Sequence, residues 1–536
     1  MISGDQDSDS GGYSSPVEEE GSQVAEFFKD RCVFITGVSG FVGKVLLEKL
    51  LRSCERVRTV YVLLRHKEGQ EPRQRLDHLF TSEVFSRLKA ENPKVLTRVV
   101  PVSGDISLPE LGLSQSDTNM LTRLVSVVFH SAATVRFDEP LKKSVDLNLL
   151  GTQRVLQLSQ KMTKLAAFVH VSTAYSYCNR REIDEVIYPE KISPQKIIDI
   201  AEWMDESMLQ RILPKLMDGR PTTYHYSKAL AEHVLETEGA NLPIALVRPS
   251  IVTAAFKEPM PGWVDGVNGP STFIIMTGKG LLRTMLVYKG SVVDWMPVDM
   301  VVNLLLTAAW HIGTHRPDGI KVYNCTSGDL NKVTWSDIHS TATPLIVQYP
   351  SMSVLRYPGG SFKSYSFFNT LSIKLCHGLP AHLVDALAWI FGYKTEFVSL
   401  VRRMERAAGY LEYFTTREWK FRCDNLIQLR QMQNSTDRKL FDFDVRPVEW
   451  KPYLESYVRG IRKFLLKEDD STLPAARRKI TRLYYTELLA KLSAVLGAVY
   501  LLLTKTRLSQ HLLWWFISLS FQVMQHMPES WLRFLT

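Results

Sequence analysis

Short apolar runs and helix-period segments alternate through the first three hundred residues. Cys32 to Thr36, Thr59 to Leu64, Val99 to Val102, Val125 to His130, Ala167 to Ser172 and Ile244 to Arg248 are nearly continuous in apolar residues and read as strands. Between them, Val42 to Arg52 places Val42, Val45, Leu46, Lys49 and Leu50 on one helix face, and Leu141 to Lys161 and Thr223 to Glu236 read as further helices. Strands apolar on both faces and separated by helices predict an α/β doubly wound parallel sheet of Rossmann type. Beyond about residue 350 the strand pattern stops, and Leu371 to Leu466 reads as mainly helical. The expected organisation is an acidic disordered tail over 1–25, a dinucleotide-binding and substrate domain over 26–350 and a helical domain over 351–466. A basic linker over 467–487 and a hydrophobic membrane tail over 488–536 complete it.

The two ends of the chain differ sharply. The N-terminus mixes Asp5, Asp7, Asp9, Glu18, Glu19 and Glu20 with Ser and Gly, with neither the basic start nor the apolar run of a signal peptide. Near the C-terminus, Leu492 to Thr504 carries no charge, and Leu508 to Met527 carries no Lys, Arg, Asp or Glu. The second run is long enough to cross a bilayer as a helix. Arg477, Arg478, Lys479 and Arg482 precede both, which keeps the upstream bulk of the chain on the cytosolic side. Two spans would place Lys505 and Arg507 on the far side, so one span or a hairpin in one leaflet fits better. Composition adds limits. The net charge of +9 suits a membrane surface and polyanionic cofactors, and no nucleic-acid module is present. The six cysteines are scattered, without a CxxC or Cys/His cluster, so neither a metal site nor a disulfide scaffold is expected.

The candidate chemistry starts where the first strand meets the first helix. Gly37, Gly40 and Gly43 stand in Gly37-Val38-Ser39-Gly40-Phe41-Val42-Gly43. A tight turn, close approach of backbone to a pyrophosphate, and close helix–strand packing each require glycine there, and the helix N-terminus offers N–H groups to phosphates. Backbone and side chains of Ser39, Gly40, Phe41, Val42 and Gly43 are the expected cofactor contacts. At the end of the second strand, where an NAD enzyme commonly has an acid for the ribose 2′-hydroxyl, Arg65 and Lys67 suit a 2′-phosphate and favour NADPH. Ala132, in His130-Ser131-Ala132-Ala133, would line the middle of the cofactor.

Tyr224 and Lys228 are four residues apart on a predicted helix and therefore share a face. An ammonium near a phenol favours the phenolate, so Lys228 can activate Tyr224 and also hold ribose hydroxyls. Ser172-Thr173 ends the fifth strand. Neighbouring strand residues face opposite sides, so one of the two points into the site.

The GxxGxxG spacing with this trio resembles the extended short-chain dehydrogenase/reductase superfamily. The resemblance selects Thr173 over Ser172, places Asp105 and Ile106 near the adenine, and makes Asn148 a brace for the sheet. Longer stretches narrow it further. They include His170-Val171-Ser172-Thr173-Ala174-Tyr175, Tyr224-His225-Tyr226-Ser227-Lys228-Ala229, Val247-Arg248-Pro249-Ser250, Pro261-Gly262-Trp263-Val264-Asp265, Pro297-Val298-Asp299 and Trp419-Lys420-Phe421. From about residue 27 to 466 the chain resembles the alcohol-forming fatty acyl-CoA reductases, of which many insect members carry a hydrophobic C-terminal tail. The resemblance implies reduction of a long-chain acyl-CoA by NADPH, through an aldehyde, to a primary alcohol with release of CoA. It also implies a cytosol-facing catalytic domain anchored at the endoplasmic reticulum, with the peroxisome as the alternative, and leaves self-association open. Tyr177-Cys178-Asn179 and His225 depart from the common pattern and are expected near the mouth of the site. A sterol or nucleotide-sugar enzyme of the same superfamily would share the trio but not the helical second domain, and a catalytically dead membrane scaffold would not need the trio.

Overall fold

The computed structural model describes residues 21–66, 69–267 and 269–505, and past these the helical positions 511, 514, 515, 517–519 and 522. Lys67 and most of the run from 508 to 527 lie outside the described residues. Seven parallel strands form the central sheet: β1 (Cys32–Thr36), β2 (Thr59–Leu64), β3 (Val99–Ser103), β4 (Val125–His130), β5 (Ala167–Val171), β6 (Ile244–Pro249) and β7 (Lys321–Cys325). Their order is β7-β6-β5-β4-β1-β2-β3. The order reverses between β1 and β4, and a doubly wound sheet opens its ligand crevice at that point. The strand β7 was not expected from the sequence, and β5 ends one residue before Ser172.

Both sheet faces are buried because successive strand residues feed opposite cores. Val33 and Ile35 of β1 pack with helices α1 (Phe41–Ser53) and, further along, Val298–His315. Phe34 faces the other way, with Leu149, Leu156, Tyr226 and Leu230. That second face carries α2 (Gly151–Gln160) and α3 (Thr223–Glu238). The helix expected from Leu141 to Lys161 is interrupted by a π-turn at Val145–Leu150, which carries Asn148.

The later chain is mainly helical and docks on the sheet domain. It contains α4 (Ser366–Ile373), a π-turn (Lys374–Gly378), α5 (Leu379–Ile390), α6 (Phe397–Thr415), α7 (Trp450–Gly460) and α8 (Leu473–Lys505). A two-residue strand, Lys420–Phe421, pairs with Glu182–Ile183 of the first domain. The Tyr453 hydroxyl donates to the Ala254 carbonyl at 2.8 Å, and Asn331 Nδ2 donates to the Val448 carbonyl at 2.8 Å. Gly460 meets Gly262 backbone to backbone, so closely that a Cβ on Gly460 would overlap the Gly262 carbonyl. Folded structure starts earlier than the expected tail boundary. Helix Gln23–Phe27 is capped by Ser22, whose hydroxyl donates to Asp437 at 2.5 Å. Among the described residues, no helix is long and apolar enough to cross a membrane.

Candidate active site

The glycine loop lies at the carboxyl ends of β1 and β4. Thr36 Oγ1 and His130 Nδ1 are 2.7 Å apart, and Ser131 Oγ donates to the Thr36 carbonyl at 2.8 Å, which locks the two strand ends together. Gly37 has φ of 77°, and a Cβ there would lie 2.6 Å from the Ala132 nitrogen. A Cβ on Gly43 would lie 2.8 Å from the Val38 Cα. Gly40 stands at the N-cap of α1 with no side chain over the helix end, leaving the first-turn N–H groups open. This cradle, tight against Ala132 and open above α1, fits a dinucleotide pyrophosphate. Ser39 is exposed, and Phe41 and Val42 are half-buried. Phe41 packs on Trp263 with ring centres 5.5 Å apart, and Lys44 Nζ donates to Asp265 at 2.6 Å, so the 261–265 loop closes the flank of the cradle.

A cavity of about 520 Å³ adjoins the loop, lined by Ser39, Lys44, Arg75, His78, Trp263 and Lys467 among others. The Arg75 guanidinium donates to the Arg65 carbonyl. Burial, and then the charge of Arg65, push its pKa down. The Arg75 guanidinium thus sits on the Arg65 backbone within reach of the Arg65 charge, and neither side chain forms an ion pair with a carboxylate among the described residues. Asp105 Oδ1 accepts from the Ser107 amide and hydroxyl, both at 3.0 Å, and so folds its own loop. Ile106 is buried against Gly151.

Thr173, Tyr224 and Lys228 come together at the end of β5. Ser172 Oγ donates to Glu232 at 2.5 Å, beneath the sheet end, and the Glu232 carboxylate also pairs with Arg248 at 2.6 Å. Ser172 is therefore held away from Tyr224, whereas the Thr173 side chain lies beside the Tyr224 phenol and favours its ionised form. The Tyr224 pKa departs from expectation. Burial pushes it up to about 12, with only the neighbouring Thr173 side chain pulling it down. Lys228 Nζ instead donates to the Val171 carbonyl at 2.8 Å, and burial lowers its pKa to about 8. In this crowded site the desolvation of the phenol outweighs any nearby positive charge. Asn148 accepts from the Thr134 amide at 2.9 Å and donates to Ser227 at 3.0 Å, bracing the loop after β4 against α3 between Tyr224 and Lys228.

Aromatic rings wall the phenol. Phe137 lies 5.9 Å from Tyr224 and 6.0 Å from Phe414, and Phe414 lies 5.0 Å from His225 and 5.3 Å from Tyr175. Phe414 comes from α6, so the second domain forms part of this wall. His225 is buried, bonded through Nδ1 to Thr222 Oγ1 at 2.7 Å, and burial lowers its pKa to about 3. Tyr177 and Cys178 do not lie at an open mouth. Tyr177 is buried beside Arg248, and the Cys178 carbonyl accepts from Tyr413 Oη at 3.0 Å and Trp419 Nε1 at 2.9 Å. Both donors belong to the second domain.

Two family models, each described as male sterility protein, match residues 35–305, an NAD-binding model, and residues 376–468. The chain is 44 % identical over 460 residues to fatty acyl-CoA reductase 1 of Gallus gallus, covering 86 % of this chain and 89 % of that one. It is 39 % identical over 500 residues to fatty acyl-CoA reductase 2 of Mus musculus, covering 93 % and 97 %. The chain belongs to the fatty acyl-CoA reductase family. Solved structures share the architecture of this reductase at low identity. The reductase domain of a nonribosomal peptide synthetase from Mycobacterium tuberculosis aligns with TM-score 0.55 at 19 % identity, over 83 % of this chain and 95 % of that one. The terminal reductase domain of the myxalamid pathway aligns with TM-score 0.51 at 18 % identity, over 81 % and 91 %.

Sequence reading of the reductase missed Arg75, Phe137 and Phe414. Arg75 carried a weak signal, a cation on the helix that follows the second strand. Phe137 and Phe414 carried none, because an aromatic residue in a loop and one on a helix do not announce that they meet.

Proposed function

We propose that this reductase converts long-chain fatty acyl-CoA to a primary alcohol with NADPH, releasing CoA and passing through an aldehyde. The observation that carries the reading is the Tyr224 phenol, set beside Thr173 and walled by Phe137 and Phe414: a proton donor in an apolar enclosure. Family membership supplies the acyl-CoA. Gly37, Gly40 and Gly43 with the α1 N-terminus would hold the pyrophosphate, Ala132 the middle of the cofactor and Lys228 its ribose. Asp105 and Ile106 would border the adenine, and Arg65 with Arg75 would pair the 2′-phosphate, with Lys67 as a further cation. NADPH supplies the hydride when bound. Thr173 donates a hydrogen bond to the substrate carbonyl oxygen, and Tyr224 gives that oxygen its proton as negative charge develops there. A phenol pKa near 12 keeps the proton on Tyr224 until the oxyanion forms. The same pair serves the thioester and then the aldehyde. The tail over 488–536 is read as the anchor, with the catalytic domain facing the cytosol at the endoplasmic reticulum.

Incubating the purified full chain with palmitoyl-CoA and NADPH tests the reading. Fatty alcohol and free CoA thiol are expected, with two NADPH oxidised per alcohol. Oxidation of NADPH by a sterol ketone but not by the thioester would overturn it.

A further inference from the structure

The helix formed by α4, its π-turn and α5 is amphipathic in the wrong direction for a soluble protein. Its attachment to the rest of the molecule is polar or small: Asn369 accepts from Thr284 Oγ1 at 3.0 Å, His377 Nε2 accepts from the Arg283 amide at 2.8 Å, and Ala381 is buried. Its outward residues are large and apolar. Phe367, Leu371, Leu375, Leu379, Leu383 and Leu387 recur at every fourth position, and all are exposed. Such a stripe drifts by about 40° per step on an α-helix, and the π-turn at Lys374–Gly378 takes back part of that drift. Trp389 is 80 % exposed, and Tyr365 and Tyr393 stand open at the two ends. A water-soluble surface does not carry a continuous apolar band of this kind without a partner.

We infer that this band is a membrane-docking surface, lying in the headgroup–acyl boundary of a bilayer and distinct from the C-terminal tail. Three observations select a bilayer as the occupant. The first is continuity with α8. Glu487 of α8 accepts from Arg283 at 2.6 Å, and Arg356 donates to the Cys376 carbonyl at 3.2 Å while facing Glu487 at 3.7 Å. The inside-out helix and α8 are therefore pinned side by side, and α8 presents exposed Leu489, Leu492, Val495 and Leu496 at the start of the apolar tail. The second is charge. Over residues 366–403 the cations Lys374, Lys394, Arg402 and Arg403 are exposed, against the carboxylates Asp385 and Glu396. Asp385 is already engaged at the start of α6, accepting from the amides of Phe397 and Val398 at 3.0 Å each. A cationic margin beside an apolar band suits anionic lipid. The third is one-sidedness. The polar inner stripe is bonded to the protein, so the helix lies along the interface instead of spanning it, and Trp and Tyr at its ends match the interfacial preference of those rings.

The test places nitroxide labels on the full chain in a Cys376→Ser background, at Leu379→Cys and Leu387→Cys, with Lys94→Cys as a surface control and Val495→Cys reporting on the tail. Collision rates with molecular oxygen and with a nickel chelate are measured before and after adding phosphatidylcholine vesicles containing phosphatidylserine. Labels at 379 and 387 are expected to gain oxygen collisions and lose nickel collisions several-fold, while the label at 94 stays unchanged. Unchanged nickel collisions at 379 and 387, with the label at 495 entering lipid, would overturn the proposal and leave the tail anchor intact. Loss of both probes at 379 and 387 would also overturn it, since that marks burial against protein, such as a second copy. None of these readouts depends on catalytic activity, so failure here is separate from failure of the enzymatic reading.

Discussion

Gly460→Ala should weaken cofactor binding from a residue that touches no cofactor. The Gly460 Cα packs on the loop that holds Trp263 and Asp265 against Phe41 and Lys44. An added Cβ would overlap the Gly262 carbonyl oxygen and lie 2.6 Å from its carbon and 3.1 Å from the Gly262 Cα, all three backbone atoms, with no side chain to swing aside. Ordinary carbon contacts need about 3.5–4.0 Å, so α7 and the loop must part by at least about 1 Å. Overpacking of this kind costs about 1–3 kcal/mol, and the better helix propensity of Ala returns about 1 kcal/mol. Net stability should therefore fall by about 0–2 kcal/mol. Displacing the flank of the cradle loosens its contacts with the cofactor, so the Kd for NADPH should rise at least several-fold. Fluorescence titration gives the Kd, and a thermal melt gives stability. Gly409→Ala is the control, because its Cβ would meet nothing within 4 Å on exposed α6. An unchanged Kd in Gly460→Ala, with the melt also unchanged, would refute the claim that the second domain sets the cofactor loop.

The other expectations concern the site itself and its response to acid. Tyr224→Phe should lower kcat by about 100- to 10,000-fold with little change in the KM for acyl-CoA, and full activity would remove Tyr224 as proton donor. Arg75→Ala should weaken NADPH by about 10- to 100-fold, the worth of a charge-assisted hydrogen bond of about 1.5–3 kcal/mol, and leave NADH nearly unaffected; equal losses for both cofactors would reject the 2′-phosphate role. Acid should destabilise the fold through His130 and His225, both buried with pKa values lowered to about 3. The folded pKa lies below the unfolded value of about 6.5, so the stability is complete above that pH and is lost as pH falls below it. At pH 5 each histidine should cost about 2 kcal/mol. Urea midpoints at pH 7.5 and pH 5 measure this, and His225→Phe should flatten the difference. Phe414→Ala should let aldehyde escape between the two reductions, detectable by a hydrazine trap; alcohol as the only product at unchanged rate would argue against an enclosing role.

What was legible in the sequence was local. The glycine loop declares itself because turn, approach and packing constrain consecutive residues, and Gly37 and Gly43 meet the backbone contacts that exclude a side chain. Strand alternation required only that one of Ser172 and Thr173 enter the site, and the family resemblance picked Thr173; the structure separates them, with Ser172 bonded to Glu232 and Thr173 beside Tyr224. Long-range relations were not legible. The pairing of Arg75 with the end of β2 depends on how the chain turns between them. The phenol pKa ran opposite to expectation because burial of Tyr224, which a helix face shared with Lys228 does not reveal, raises it, while the Lys228 ammonium donates to the Val171 carbonyl. In the second domain, helical periodicity marked the helices but not which face each one buries. The stripe from Phe367 to Leu387 would pass for a core face until Asn369 and His377 are seen holding the opposite side.

These long-range relations assign the second domain three separate tasks. Gly460 fixes the loop beside the cofactor cradle, Phe414 closes the wall at Tyr224, and the outward stripe of α4 and α5 offers an apolar face to lipid. One element connects the last two. Helix α6 begins where Asp385 caps it, at the end of the inside-out helix, and ends at Phe414 against His225. Its 19 residues span about 28 Å at 1.5 Å per residue. A long acyl chain partitions into a bilayer while its CoA head stays in water, so a reductase acting on it gains from holding the reacting carbon a fixed distance from the lipid surface. A rigid helix with one end at the proposed docking face and the other at the phenol sets that distance. This accounts for a helical domain fused to a Rossmann sheet that already carries the trio.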